Sequence, residues 1–446
     1  MKTNVDAGGQ NGADVGRSTH LTPSNVTRAK LAEISNTSEC NDAEPCYSAK
    51  SHARPRISAL HLGGKSHRGV RSNARYVTIT TEQDFASLES EWRELTCDAS
   101  YASPFSTWDW IWEWWRHSAP RIRCSVPGYG LCVVCAYDAH EVLIGIAPFF
   151  SVPSRVSPYG GRRLRLLGDI DELQLMTEEP TVLLRQGREE EAVASLLTGL
   201  KTAKFPHWRS FVLPVISPHP LQGAWRYPRI SRGSDGPQTV SLPNTWDAFR
   251  AGLTRSMRDN TAYYPKRLKK HAHQYEFRCV TDPCKIAEAV LLLADLHRQR
   301  AEGDRGPQHN NYLPGPLHVA FLTAVMTRLA LAGEGFIAVL EIDGNPVAAQ
   351  AFLENAGRLT VYYSGFNPAW YDYSPLTILM SEVIRDAIRR NVQILSFLPG
   401  AQPWKARWGA CLEMERQRLT WLMPASLREA ARAIFTGRRA LFDSRS

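Results

Sequence analysis

The chain has 446 residues, 43% of them hydrophobic and 22% charged, with a formal net charge of +9. That length supports two or three domains with cores of their own, and the composition excludes a fibrous or wholly disordered protein. The longest apolar stretch, 142–152, is too short for a spanning helix and contains Gly145 and Pro148; no apolar segment follows Lys2, which argues against a secretory signal.

Residues 1–72 are poor in apolar side chains and rich in Ser, Asn, Gly, Thr and charge, so they predict a disordered basic tail. Gly64-Lys65-Ser66 resembles the end of a phosphate loop, but the leading glycine of that motif falls on Ala59 and no strand precedes it. A strand is predicted at 76–79. Phe85, Leu88, Trp92 and Leu95 then recur at helical spacing, as do Trp108, Ile111, Trp112 and Trp115. A tryptophan stripe of that kind reads as core. Residues 131–137 and 142–148 form a predicted strand pair, followed by strands near 164–167 and 211–215 with a helix at 189–200 between them. Cys132 and Cys135 lie inside a strand pattern, where their side chains need not converge. Nine irregularly spaced cysteines, an odd number, point to reduced thiols in the cytosol.

The second half restarts the plan. Residues 246–273 are predicted helical with a break at Pro265, followed by a strand at 277–280. Further helices are predicted at 286–300 and 317–331. The runs 336–342 and 347–353 flank Asp343-Gly344-Asn345-Pro346, a strong hairpin signal. A third strand at 358–363 leads into the Gly-, Pro- and aromatic-rich loop 364–373. Ser374 and Pro375 then suit the cap and first position of a helix whose apolar face is Leu376, Leu379, Met380, Val383, Ile384, Ala387 and Ile388. Residues 394–398 read as a buried strand, and a polar loop closes at Pro403-Trp404-Lys405-Ala406-Arg407-Trp408-Gly409. Basic residues cluster at Arg255, Arg258, Lys266, Arg267, Lys269 and Lys270, and again in 426–446, where an apolar stripe suits a terminal helix packed on the core or lying on a membrane surface.

The ordered set Tyr362-Tyr363-Ser364-Gly365-Phe366-Asn367-Pro368, Tyr373-Ser374-Pro375 and Gly400 to Gly409 resembles the GNAT-like acyltransferase domain of the CelD and BioF2-like proteins, distant relatives of the Fem aminoacyltransferases. Residues 105–115, 145–150, 246–249, 255–258 and 266–270 are similar to the rest of that family, so the resemblance covers roughly 76–421. The chain departs from the family at Leu376 and Asn391, where glycine is usual, at Ser396, Trp404 and Pro265. The resemblance implies an α/β fold of mixed α+β sheets, with two tandem GNAT-like domains at 73–240 and 241–425 after the tail. It implies an acyltransferase using acetyl-CoA or another acyl-CoA, with no metal, whose acceptor is a small molecule or polysaccharide precursor. It also implies a cytoplasmic protein, either free or at the inner face of the membrane in a polysaccharide-synthase assembly.

By the same resemblance, Tyr362, Tyr363, Ser364 and Gly365 form the strand edge that pairs with the pantetheine arm, and Ser374 opens the helix facing the pyrophosphate. His297 is the candidate general base, sharing a helix face with Arg300. Lys405 is the second catalytic candidate. Arg258, Arg300, Trp404, Arg407 and Trp408 are the substrate-binding candidates. Two rival readings stay open: a Fem-like enzyme using aminoacyl-tRNA, the one case in which nucleic acid is expected, and a non-catalytic module of a polysaccharide-synthesis assembly. No serine nucleophile elbow, metalloprotease helix or dinucleotide fingerprint occurs.

Overall fold

The computed structural model describes residues 75–125, 129–153, 162–169, 175, 177–202, 208–216, 229–234, 236–306 and 309–422. The predicted tail and the basic segment 426–446 lie outside the described residues. In the first half the strands are β1 (Arg75–Ile79), β2 (Gly130–Tyr137), β3 (Leu143–Pro153), β4 (Arg162–Leu166), β5 (Leu183–Leu184), β6 (Trp208–Ile216) and β7 (Arg229–Ser234). Its helices are α1 (Glu82–Ala86), α2 (Glu89–Cys97), α3 (Trp108–Ser125) and α4 (Glu189–Thr202). β8 (Pro237–Ser241) ends the first half, and the second half holds α5 (Trp246–Gly252), α6 (Arg255–Lys270), β9 (Tyr275–Val280), α7 (Pro283–Glu302) and α8 (Pro316–Leu331). It continues with β10 (Gly335–Ile342), β11 (Asn345–Asn355), β12 (Arg358–Phe366), α9 (Pro375–Arg389), β13 (Ile394–Pro399), α10 (Pro403–Arg407), β14 (Cys411–Leu412) and β15 (Arg416–Leu422).

These strands build two mixed sheets, as expected. One runs β1-β2-β3-β4-β6-β15-β7 with β5 beside β3; the other runs β14-β8-β13-β12-β11-β10-β9. Each contains an antiparallel meander followed by a helical crossover to a parallel neighbour. In the first sheet β4 crosses through α4 to β6; in the second β12 crosses through α9 to β13. The two sheets exchange strands: β8 leaves the first half to pair with β13, and β15 leaves the second half to pair with β6 and β7. The division at 240/241 therefore assigns Arg416–Leu422 to one half by sequence while its hydrogen bonds belong to the sheet of the other.

Local chemistry explains the regular parts. Asp343 and Gly344 both have positive φ (50° and 75°), the backbone a two-residue hairpin turn needs, so β10 and β11 pair as the sequence predicts. At the end of α9, Asn391 takes φ 60° where the resembling family has glycine; its N–H donates to the Ile388 carbonyl, and the Val392 N–H donates to Ala387. That is a Schellman closure with asparagine in the left-handed position. The predicted break at Pro265 is not present. The helix runs through Pro265, and the interruption falls at Leu253–Thr254, where the Thr254 hydroxyl accepts from the Met257 N–H and starts α6. The cap decides the boundary, and the helix tolerates Pro265 despite its missing N–H.

Of the predicted stripe, Trp108, Ile111 and Trp115 are buried and Trp112 is partly buried; Trp110 and Trp114, off that stripe, are buried as well, and Phe105 and Trp110 pack edge-on against Tyr362 of β12. The first half therefore supports a strand of the second. A buried ionic cluster adds to that junction. Asp109 and Glu113 of α3 receive Arg328 of α8 at 3.0 and 2.8 Å, and Arg93 of α2 grips Asp109 with two nitrogens at 2.7 and 2.6 Å. Cys132 and Cys135 are buried in different core clusters on opposite faces of β2, so the pair does not converge. Among the described residues, no helix is long and apolar enough to cross a membrane.

Candidate active site

The strands β12 and β13 pair in parallel over only three positions, Arg358 with Ile394, Leu359 with Leu395 and Thr360 with Ser396. Beyond Thr360 they separate, and two local devices hold them apart. On β12, the step from Val361 to Ser364 spans the step from Phe352 to Gln350 on β11, so one extra residue bulges at Tyr362-Tyr363. A bulge sharpens twist and bends the strand away from its neighbour. On β13, Leu398 adopts φ 64°, costly for a branched residue, and the pairing with β8 shifts between Ser396 and Pro399.

Lys405 accounts for how that strained end persists. Its side chain is buried, and its ammonium donates to the Leu398 carbonyl at 3.1 Å and the Pro399 carbonyl at 2.7 Å. The expected polar loop is here the short helix α10, which carries Lys405 back under β13. Lys405 therefore acts first as a clamp on the fork, and its charge lines the cavity. The Lys405→Met variant leaves two carbonyls without their donor, with an expected loss of roughly 1–3 kcal/mol in chemical unfolding. Unchanged stability and unchanged ligand affinity in that variant would remove the clamp.

Between the separated strands lies a cavity of about 400 Å³. Its walls come from both faces of the sheet. The core packed by α9 contains Ala348, Phe352, Val361 and Phe397; the core packed by α7 contains Ala349, Ala351 and Leu398. Ser374, Leu376, Thr377 and Met380 line the cavity from α9, and His297, Arg300, His309 and Tyr312 from α7 and the segment after it. A space reached from both faces has to pass through the fork. Gln350, Tyr362, Tyr363 and Ser364 form its strand walls, Trp404, Arg407 and Trp408 its α10 side, and Glu178 enters from the first half.

Most sequence candidates meet here, in roles that differ. His297 is buried with both ring nitrogens engaged: Nδ1 bonds the Ser364 carbonyl at 2.8 Å, and Nε2 accepts the Tyr312 N–H at 3.1 Å. That pattern fixes the neutral Nδ1–H tautomer. The expected general-base role does not fit, because the only lone pair is already occupied by a backbone donor. His297 positions β12 and the Tyr312 segment instead. Gly365 is likewise a packing residue. A Cβ there would lie 2.3 Å from the His297 nitrogen, so its absence lets α7 lie against β12.

Ser374 caps α9 from the left-handed region (φ 47°), its Oγ meeting Thr377 Oγ at 2.8 Å rather than a backbone amide. Leu376 packs partly against the α9 core and also borders the cavity. Trp408 is core-buried. Trp404 is at the rim, its Nε1 donating to Gln402 and its ring edge-on to Phe397, and Arg407 is exposed there. Arg258 is not in the site. Its guanidinium donates to the Ala251 carbonyl at the α5–α6 junction, and its neighbour Met257 reaches the cavity instead. Helical phase decides this, since adjacent residues point about 100° apart.

The electrostatics are unusual at the α7 end. Arg300 donates to Ser364 Oγ at 2.9 Å and lies over the Phe366 ring, and among the described residues no carboxylate pairs with it. Burial lowers its pKa to about 10. Burial also lowers His309 to about 3, helped by the Arg300 and His297 charges, and lowers His297. Burial raises both Tyr362 and Tyr363, so these phenols stay neutral donors. The two histidines are thus held neutral in the fold. Above the ordinary value of 6.5 both states are uncharged. As pH falls from there toward about 3, the unfolded chain takes up protons that the folded chain refuses, so stability declines across that window. Urea midpoints measured at descending pH should show the decline, and His309→Gln should flatten part of it.

His309, Tyr312, Gln350, Glu178 and Thr377 were not singled out from sequence, and Met380 was read only as part of the apolar face of α9. Gln350 had a signal, a lone amide in the apolar run 347–353. His309 and Tyr312 had none, since they sit in a polar connection without periodicity.

A sequence profile described as an acetyltransferase (GNAT) domain matches residues 255–406. The chain carries a GNAT-fold domain. The structure of FemX superposes with a TM-score of 0.52 at 10% identity, covering 75% of this chain and 96% of that one. Two further structures align less closely. One is the C-terminal domain of a putative lysylphosphatidylglycerol synthetase from Agrobacterium fabrum (TM-score 0.45, 10% identity, 78% of this chain and 95% of that one). The other is a tandem GNAT protein from the clavulanic acid biosynthesis pathway (TM-score 0.41, 11% identity, 79% and 100%). No curated protein sequence matches. Within the GNAT-fold domain, the fork and α9 fall inside the matched span, while Glu178, Phe105 and Trp110 reach it from outside.

Proposed function

We propose that the protein is an acyl-CoA-dependent acyltransferase of the CelD and BioF2-like kind, transferring an acyl group to an amine or hydroxyl. The observation that carries this reading is the open fork beyond Thr360 and Ser396 with the start of α9 on its wall. Unpaired strand backbone suits the amides of a pantetheine arm, and a helix amino terminus suits its phosphates. The acceptor nucleophile adds to the thioester carbon, a C–N or C–O bond forms, the C–S bond breaks, and the departing thiolate takes the proton the nucleophile loses. Neutral Tyr363, whose hydroxyl receives the one Tyr362 donates, is the phenol suited to donate to the oxygen that gains charge. The acceptor is a small molecule or polysaccharide precursor.

Calorimetric titration with acetyl-CoA and longer acyl-CoAs tests this. Saturable binding, followed by thiol release when acceptor is added, is expected. Absence of heat with every thioester would remove the reading. Binding and transfer from aminoacyl-tRNA in place of acyl-CoA would move the protein to the Fem-like alternative.

A further inference from the structure

Among the described residues, Arg300 is a cation without a counter-charge. It is largely withdrawn from water, donates to Ser364 Oγ at 2.9 Å, and faces no carboxylate within pairing distance among the described residues. Withdrawing a charge from water without a partner is costly unless something else repays it. Nearby, His309 Nε2 is buried and has no hydrogen-bond partner, and its ring stands 4.9 Å from His297. Both groups border the cavity, and both could donate to one oxyanion. Gln350, 4% exposed, adds a second unsatisfied polar atom, Oε1, to the same cavity.

We propose that Arg300 and His309 seat an anionic group of the acceptor, so that the acceptor is an amine or alcohol bearing a carboxylate or phosphate. This rests on the acyltransferase reading above. Two sources could supply the anion, the acceptor or the phosphates of the donor. The placement favours the acceptor. Helices α7 and α9 pack on opposite faces of the sheet; His309 stands against His297 of α7, the phosphate-suited start of α9 lies on the other face, and the Arg300 guanidinium reaches from α7 into the fork between them, to Ser364 Oγ and the Phe366 ring. Donor and acceptor entering from opposite faces would meet at the bulge of Tyr362 and Tyr363, where the fork joins the two sides.

The test titrates the full chain, free and saturated with CoA, with phosphate, succinate and the twenty amino acids. The donor phosphates are occupied in the saturated protein, so an anion that still binds has its own seat. Arg300→Gln should weaken that binding at least about tenfold while changing acetyl-CoA affinity less than about threefold, and Arg300→Lys should restore part of it. His309→Gln, a milder change, should weaken the anion without touching the donor and serves if Arg300→Gln does not fold. No anion bound to CoA-saturated protein, or a tenfold loss of acetyl-CoA affinity in Arg300→Gln, overturns the proposal; the second result gives the seat to the donor. If the wild type binds no acetyl-CoA, the acyltransferase reading fails by itself, while anion binding to the free chain and its loss in Arg300→Gln still report on the seat.

Discussion

Leu376→Trp is expected to weaken acyl-CoA binding by at least about tenfold, and Leu376→Gly to strengthen it severalfold. Leu376 is the second residue of α9, partly packed on the core and partly on the cavity wall. Its side chain sets how closely a phosphate can approach the first amides of the helix. An indole there fills the approach, whereas glycine clears it at a helix cost of about 1 kcal/mol. Calorimetry with acetyl-CoA reads the affinities, and thermal unfolding separates them from damage to the fold. Equal affinities in all three proteins would mean that the donor phosphates lie elsewhere.

Arg328→Met is expected to lower unfolding stability by about 3 kcal/mol, the lower end of the cost of breaking a buried ion pair. The two carboxylates it serves, Asp109 and Glu113, have side chains only 3% exposed. Asp109 keeps Arg93, which holds the loss at the lower end; among the described residues Glu113 keeps only Arg116 at 3.4 Å and His117 at 3.5 Å. Because Arg328 lies on α8 and the carboxylates on α3, the variant should also loosen the junction that brings Trp110 against Tyr362. Urea unfolding measures the first effect, and amide exchange along β12 the second. A variant as stable as the parent would show the cluster to be dispensable.

The site was legible in sequence where one short segment carries the information. The hairpin at Asp343-Gly344 depends on a few neighbouring residues, and so does the start of α9 at Ser374-Pro375, although the Ser374 side chain bonds Thr377 rather than a backbone amide. His297 and Arg300 were correctly placed on one helix face, yet their chemistry was not legible. Whether a histidine is a base or a strut depends on what reaches its second nitrogen, and here that is the Tyr312 amide across a connection.

Residue order alone thus set the alternation of strands and helices, the turns between them and the apolar faces, because near neighbours decide backbone propensity and amphipathic phase. Folding in three dimensions decided the rest. The exchange of β8 and β15 between sheets and the bond from half-buried Arg300 to Ser364 join residues far apart in the chain, and the clamp of Lys405 on a strained leucine depends on where β13 and α10 pack rather than on any periodicity. Pairing register and desolvation are properties of those assembled neighbours, and no local pattern encodes them.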